Sequence, residues 1–273
     1  TSLGKISDLW IDTIRGTNTA LIQGLCKFVI DKGLADHTFI GNRTEGYDAF
    51  KEAASTLSIE TVSAMTGVDI AKIEEFYHLV SKPDTNVIVI YSIDSLLERS
   101  RNDLQALGNL MMIRGRISKP GNGIIILRDF SNAQGLIDMG VDSRYLPGFI
   151  RPWETGRIDD LGSKWGVDLK KVFRPVDIVN ALEDESIKML LVFGENPLHE
   201  ISNLKLLNGV EFMLVLDHFM TETAMEADIV LPAAMPVETG GSYTTCDRRV
   251  QRFTKVFEPR TGMENWQIIC ELT

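Results

Sequence analysis

The sequence predicts an α/β fold with a mostly parallel sheet, and three observations carry that prediction. Short continuous apolar runs recur along the chain: Val87–Ile90, Ile124–Leu127, Met189–Phe193, Met213–Leu216 and Ile229–Leu231. Each is four or five residues or shorter and is bounded by turn or polar residues, the pattern of strands in a parallel sheet. Between them lie stretches with apolar residues at helical spacing, and strands alternating with helices select a parallel α/β arrangement.

The elements follow in order. Arg15-Gly16-Thr17-Asn18-Thr19 offers caps for a helix. Leu21, Leu25, Phe28 and Val29 then fall on one helical face, and Gly33 is a natural stop. A second helix is expected from about Ile70 to Val80, ended by Lys82-Pro83. Val87–Ile90 reads as a buried parallel strand. Asp103 to Arg114 reads as a helix, Lys119–Gly123 as a turn, and Ile124–Leu127 as another buried strand. Residues 129–172 carry Pro147, Pro152 and several glycines and read as a long excursion with little regular structure. Val176–Leu182 is expected to be helical, three strands follow, and Trp266–Leu272 is expected to form a final helix.

Composition bounds the function. The chain has 273 residues, 44% of them hydrophobic and 24% charged, which excludes disorder and fibrous repeats. With 28 basic and 38 acidic residues the net charge is −10, so phosphate-backbone binding is not the main task and no nucleic-acid partner is expected. The basic cluster Arg248, Arg249, Arg252 and Lys255 reads either as a paired surface or as an anion contact. Cys26, Cys246 and Cys270 are far apart and form no metal or cluster spacing, and His37, His78, His199 and His218 share no ligand spacing; no metal site is expected within the chain. No apolar run is long enough to span a bilayer, so direct membrane insertion is not expected. The start, Thr1–Lys5, has neither an initiator Met nor a signal-peptide pattern. A piece of a longer chain and a cytoplasmic location are the expectations.

Open parallel sheets bind ligands at the carboxyl ends of their strands. The loops after Tyr91, Leu127, Phe193, Leu216 and Leu231 are therefore candidate sites. Gly194-Glu195-Asn196-Pro197 reads as a tight turn or a ligand-facing loop. Asp217-His218 reads as a cap with an exposed His or as a carboxylate for ribose or a guanine edge. Arg128 reads as an anion grip or as a local ion pair with Asp129. Glu238–Ser242 reads as a structural turn.

Several segments in order resemble the molybdopterin oxidoreductase superfamily, particularly the large subunit of formate dehydrogenases. They are Arg43-Thr44-Glu45-Gly46-Tyr47, Thr66-Gly67-Val68, Leu107–Leu110 through Lys119–Gly123, Arg128 through Asn132–Gly135 with Asp138-Met139-Gly140, and Gly194–Pro197. Asp217 to Ala224 with Ala227–Pro232, then Asp247–Arg252 and Trp266–Ile269, complete the set. One motif alone is weak; the ordered set across nearly the whole chain is specific.

The resemblance implies two Rossmann-like nucleotide-binding parts of the type found in formate dehydrogenase and DMSO reductase. Residues 1–130 would be the later part of one pterin-dinucleotide-binding domain and 131–273 the later part of a second. The cofactor implied is molybdopterin guanine dinucleotide carrying molybdenum or tungsten. Its cradle would include Ser92, Gly194, Glu195, Asn196, Leu216, Asp217 and Thr221, and Arg128 would orient a small anionic substrate such as formate beside the metal. A guanidinium suits formate because its parallel N–H groups grip both carboxylate oxygens. Formate would lose a hydride, or a proton and electrons, and the electrons would leave through an iron–sulfur cluster outside this chain. The family's cluster-binding segment, its metal-ligating cysteine or selenocysteine and its C-terminal barrel domain have no counterpart here. The expected partners are therefore the remaining domains of the same polypeptide and iron–sulfur electron-transfer subunits, and the segment by itself is expected to be inactive. Departures at Leu97, Asp129, Phe130 and Leu216 raise an alternative: a non-catalytic scaffold of the NADH dehydrogenase (complex I) or hydrogenase type that has lost the pterin.

Overall fold

A computed structural model describes residues 3–93, 99–128, 130–200 and 204–272. The chain divides into two compact units, 1–129 and 130–273. The departures at Leu97 and Asp129, and with Asp129 the ion pair read for Arg128, lie outside the described residues.

The first unit is a helical cluster set against two parallel strands. Its helices are α1 (Asn18–Asp31), α2 (His37–Arg43), α3 (Tyr47–Ser55), α4 (Ile59–Thr66), α5 (Ile70–Val80) and α6 (Arg99–Ile113), with strands β1 (Ile88–Ser92) and β2 (Gly123–Leu127). The α1 stripe is the one its spacing predicts: Leu21, Leu25 and Val29 are buried, with Val62, Ile73, Tyr77 and Leu110 packed around them. Each fully buried aliphatic side chain contributes about 1.5–3 kcal/mol to such a core. The α5 bounds agree with the expected Ile70–Val80.

Three short helices, α2 to α4, were not expected from the sequence. Each has only seven to nine residues, below the length at which helical periodicity is legible. Their stability comes from docking Ile40, Phe50 and Val62 on the α1 core and from side-chain caps. Asp36 caps α2 through the Phe39 N–H at 2.9 Å, and Ser58 caps α4 through the Thr61 N–H at 3.2 Å.

Strands β1 and β2 pair in parallel from Ile88↔Gly123 to Ser92↔Leu127. The reading of these runs as buried needs correction. Val89 and Tyr91 pack into the core, whereas Ile88 and Ile90 are 56% and 64% exposed. Successive side chains of a strand point to opposite faces, and among the described residues of this unit the helices cover one face only.

The second unit contains α7 (Ala133–Asp138), α8 (Thr155–Trp165), α9 (Leu169–Val172), α10 (Ile178–Glu183), β3 (Met189–Phe193), α11 (Pro197–Glu200), β4 (Phe212–Asp217), α12 (Glu222–Met225), β5 (Ile229–Pro232), β6 (Gly241–Thr244), β7 (Val250–Phe253) and α13 (Asn265–Glu271). The expectation of little regular structure over 129–172 is corrected: α7, α8 and α9 lie there. Ile150, Ile158 and Leu169 bury one another in a small separate cluster that supports α8 and α9. Prolines and glycines mark the turns between these helices and hid them.

The parallel sheet runs in the order β3-β4-β5, with Val192↔Val215 and Val215↔Val230 in register. Leu190, Val192, Met213, Val215 and Val230 form one face, packed on Ala224 of α12. An antiparallel hairpin, β6–β7, follows, and its strands were not expected. Each has four residues flanked by turn-formers, so period-2 alternation has too few positions to register.

Candidate functional site at the carboxyl edge of the second sheet

The ends of β3, β4 and β5 are knit together one residue beyond the ladder. The Gly194 N–H donates to the Leu216 carbonyl at 2.8 Å, and the Ala233 N–H to the Asp217 carbonyl at 3.0 Å. The structure thus brings six of the sequence-selected residues to one edge: Gly194, Glu195, Asn196, Leu216, Asp217 and Thr221.

Gly194 has φ +66° and nothing within 4 Å of the place a Cβ would occupy. A side chain there would meet backbone strain, and a ligand can approach the main chain. Glu195 is exposed beside it. Asp217 is half-buried, and its Oδ1 accepts the main-chain N–H groups of His218 at 2.6 Å and Phe219 at 3.1 Å. These two donors orient the carboxylate; Asp217 does not cap a helix. His218 is exposed, with Nδ1 3.2 Å from the Ala233 carbonyl.

Leu216 is 2% exposed and buries its side chain in the core. Its main chain alone lies at the edge. Thr221 is the N-cap of α12, its Oγ1 accepting the Ala224 N–H at 3.2 Å. Asn196 turns its amide inward: Oδ1 accepts the Thr223 hydroxyl at 2.7 Å and the Thr223 N–H at 3.2 Å, and Nδ2 donates to Glu222 Oε2 at 2.6 Å. The Asn196 bond holds the Glu222 carboxyl below its ordinary range, with the nearby His199 adding to the effect. Thr223 and Glu222 were not selected from the sequence. The signal is faint, a Thr two positions after an N-cap Thr, and its partner lies 27 positions away.

Ser92 and Arg128 lie in the first unit, at the ends of β1 and β2, both exposed. They mark the carboxyl edge of that sheet. The basic cluster is largely paired: Arg249 lies 3.2 Å from Asp247, Lys255 2.7 Å from Glu258, and Arg248 4.0 Å from Asp138. In the Glu238 turn, the carboxylate accepts the Met235 N–H at 3.0 Å, a structural bond closing its own turn. No cluster of three or more His, Cys, Asp or Glu able to hold a metal occurs among the described residues. Nor is any described helix long and apolar enough to cross a membrane.

Comparison with known proteins gives a match to the molybdopterin oxidoreductase family over residues 2–273. The chain belongs to this family. It is 35% identical over its full length to the F420-dependent formate dehydrogenase subunit alpha of Methanocaldococcus jannaschii, covering 41% of that protein. It is 31% identical, again over its full length and 41% of the relative, to the F420-dependent formate dehydrogenase 2 subunit alpha of Methanococcus maripaludis. Formate dehydrogenase H of Escherichia coli is 28% identical over 98% of this chain and 39% of its own length. The chain therefore spans about two fifths of the length of these relatives. Acetylene hydratase from Pelobacter acetylenicus shares the fold, with a TM-score of 0.68 at 18% identity over the whole chain and 41% of that protein. The mixed α/β architecture with mostly parallel sheets is thus that of molybdopterin oxidoreductases, and membership implies a molybdopterin cofactor.

Proposed function

We propose that this chain is the central, cofactor-cradling part of a formate-oxidising molybdopterin enzyme, and that the β3–β4–β5 edge holds the guanosine end of a pterin guanine dinucleotide. The observation that carries the reading is the half-buried Asp217 carboxylate, held over its strand end by two main-chain N–H groups beside the open backbone of Gly194. A guanine edge presents N–H donors and a ribose presents hydroxyls, so it needs acceptors. Asp217 and Glu195 supply carboxylates on neighbouring strand ends, and Gly194 admits close approach. The donor and acceptor chemistry at this edge fits the group.

In this reading Asp217 accepts from the guanine edge, Glu195 accepts from ribose hydroxyls, and the main chain of Leu216 lines the base. Thr221 fixes the start of α12, and Ser92 contributes a hydroxyl at the edge of the first sheet. The bound molybdenum or tungsten pterin supplies the acceptor for the two electrons of formate. Arg128 orients the formate carboxylate through paired N–H donors and compensates its charge. An iron–sulfur cluster outside this chain would take up those electrons. These relatives are formate dehydrogenases, which does not favour the cofactor-free scaffold alternative.

The deciding experiment is metal, pterin and guanine-nucleotide analysis of the full-length protein purified without air. Molybdenum or tungsten with pterin guanine dinucleotide, together with formate-dependent reduction, is the expected outcome. Iron without pterin overturns the reading in favour of the scaffold.

A further inference from the structure

We propose that Thr223 is a positioning residue for the loop after β3, acting through a reciprocal cap in which two short helices each satisfy the other's N-terminal amide. The first amides of any helix lack intrahelical partners. Asn196 stands at the N-cap of α11, where its side-chain oxygen would ordinarily accept the Leu198 N–H. Instead the Leu198 N–H donates to the Thr223 hydroxyl at 3.1 Å, and the Asn196 oxygen accepts the Thr223 N–H of α12 at 3.2 Å. The exchange is closed by the Thr223 hydroxyl donating to Asn196 Oδ1 at 2.7 Å.

Thr223 is 1% exposed, so its hydroxyl and N–H have no water to fall back on. A hydroxyl has one proton and two lone pairs. Here the proton goes to Asn196 and one lone pair to Leu198, a pairing that Val cannot reproduce and Ser can. Both lone pairs of the Asn196 oxygen are likewise taken. Asn196 therefore has no side-chain acceptor left for a ligand; it holds the loop from within, and its neighbours Gly194 and Glu195 face outward. The clasp stands independently of any ligand, while its consequence for guanosine rests on the function proposed above.

The test uses the full-length protein with Thr223→Val, Thr223→Ser and Asn196→Ala. Two quantities are read: hydrogen-exchange rates in a peptide covering 194–200 against one covering β4, and guanine nucleotide released per protein. Thr223→Val is expected to speed exchange in 194–200 at least tenfold with β4 unchanged, and to lower nucleotide content at least threefold. Thr223→Ser is expected to restore both. Should Thr223→Val not fold, Asn196→Ala removes the Asn196 half of the clasp and must give the same pattern. Wild-type exchange in 194–200 for the folded variants, or no restoration by Ser, overturns the clasp. Altered exchange with unchanged nucleotide overturns its positioning role. A wild-type protein without guanine nucleotide sinks the ligand reading instead, and the exchange rates still decide the clasp.

Discussion

Asp217 Oδ1 accepts the N–H of Phe219 at 3.1 Å, and with the shorter bond from His218 this holds the carboxylate back over its own strand end. A charge-assisted hydrogen bond to a ligand donor contributes about 1.5–3 kcal/mol, or ten- to a hundredfold in affinity. Asp217→Ala is therefore expected to lower the guanine nucleotide recovered from purified protein by about tenfold or more. Full occupancy in the variant would remove Asp217 from the cradle.

Under the proposed function Arg128 orients substrate without holding the cofactor, and a variant tests that separation. Arg128→Ala is expected to cut formate turnover by about a hundredfold, the worth of a paired guanidinium–carboxylate contact at about 3 kcal/mol, while leaving pterin and metal content intact. Parallel loss of activity and cofactor would refute an orienting role.

The contact between α1 and α5 makes a sharp stability prediction. A Cβ at Gly24 would press on the Tyr77 hydroxyl, which donates to the Leu21 carbonyl at 3.0 Å, and would stand 2.8 Å from the Val62 methyl. Gly24→Ala is expected to destabilise the first unit by about 1–3 kcal/mol despite the better helix propensity of Ala. Thermal or denaturant unfolding equal to that of the parent protein would contradict the packing described.

Asp36 gives a pH dependence with a defined sign. Its carboxyl is held below the ordinary range, mainly by the Phe39 N–H and secondarily by Lys119. The folded state thus favours the carboxylate. Its contribution is fully present above the unfolded pKa of about 3.9 and is lost as pH falls through the lower folded value. Exchange protection of α2 is expected to drop on acidification, and Asp36→Asn, which keeps an acceptor, to remove that drop. Asp36→Ala is expected to cost about 1 kcal/mol at neutral pH. Identical acid profiles for parent and Asn variant would discard this account.

Cys26 is 1% exposed and burial pushes its thiol up to about 12, whereas Cys246 and Cys270 are exposed. Alkylation at pH 8 followed by peptide mass analysis is expected to label Cys246 and Cys270 within minutes and Cys26 only after unfolding. Labelling of Cys26 at a comparable rate would show that the α1–α6 core opens readily.

Much of the second sheet was legible in the sequence because its information is local. Met189–Phe193 is continuous and apolar, ends at Gly194, and forms a strand over those residues. The Ile70–Val80 stripe likewise needed only its own spacing. The order of the motifs from Arg43 to Trp266 determined the family, since each element of that pattern is carried by adjacent residues. Helices α2 to α4 and the helices within 129–172 were not legible, because they are short segments set among turn residues and gain their stability from docking.

The sequence by itself determined the α/β class, the three strands of the β3–β4–β5 sheet to within one residue at each end, the edge at which Gly194 and Asp217 would stand, and the family. Only the tertiary structure decided that Ile88 and Ile90 remain exposed, that Leu216 presents main chain rather than side chain, and that Asn196 turns inward to Thr223. The physical reason is the range of the forces involved. Hydrophobic period and turn chemistry act between near neighbours and are written in the residue order. Which face of a strand is covered, and which of several acceptors satisfies a given amide, depends on what the folded chain brings within 3 Å from 27 positions away.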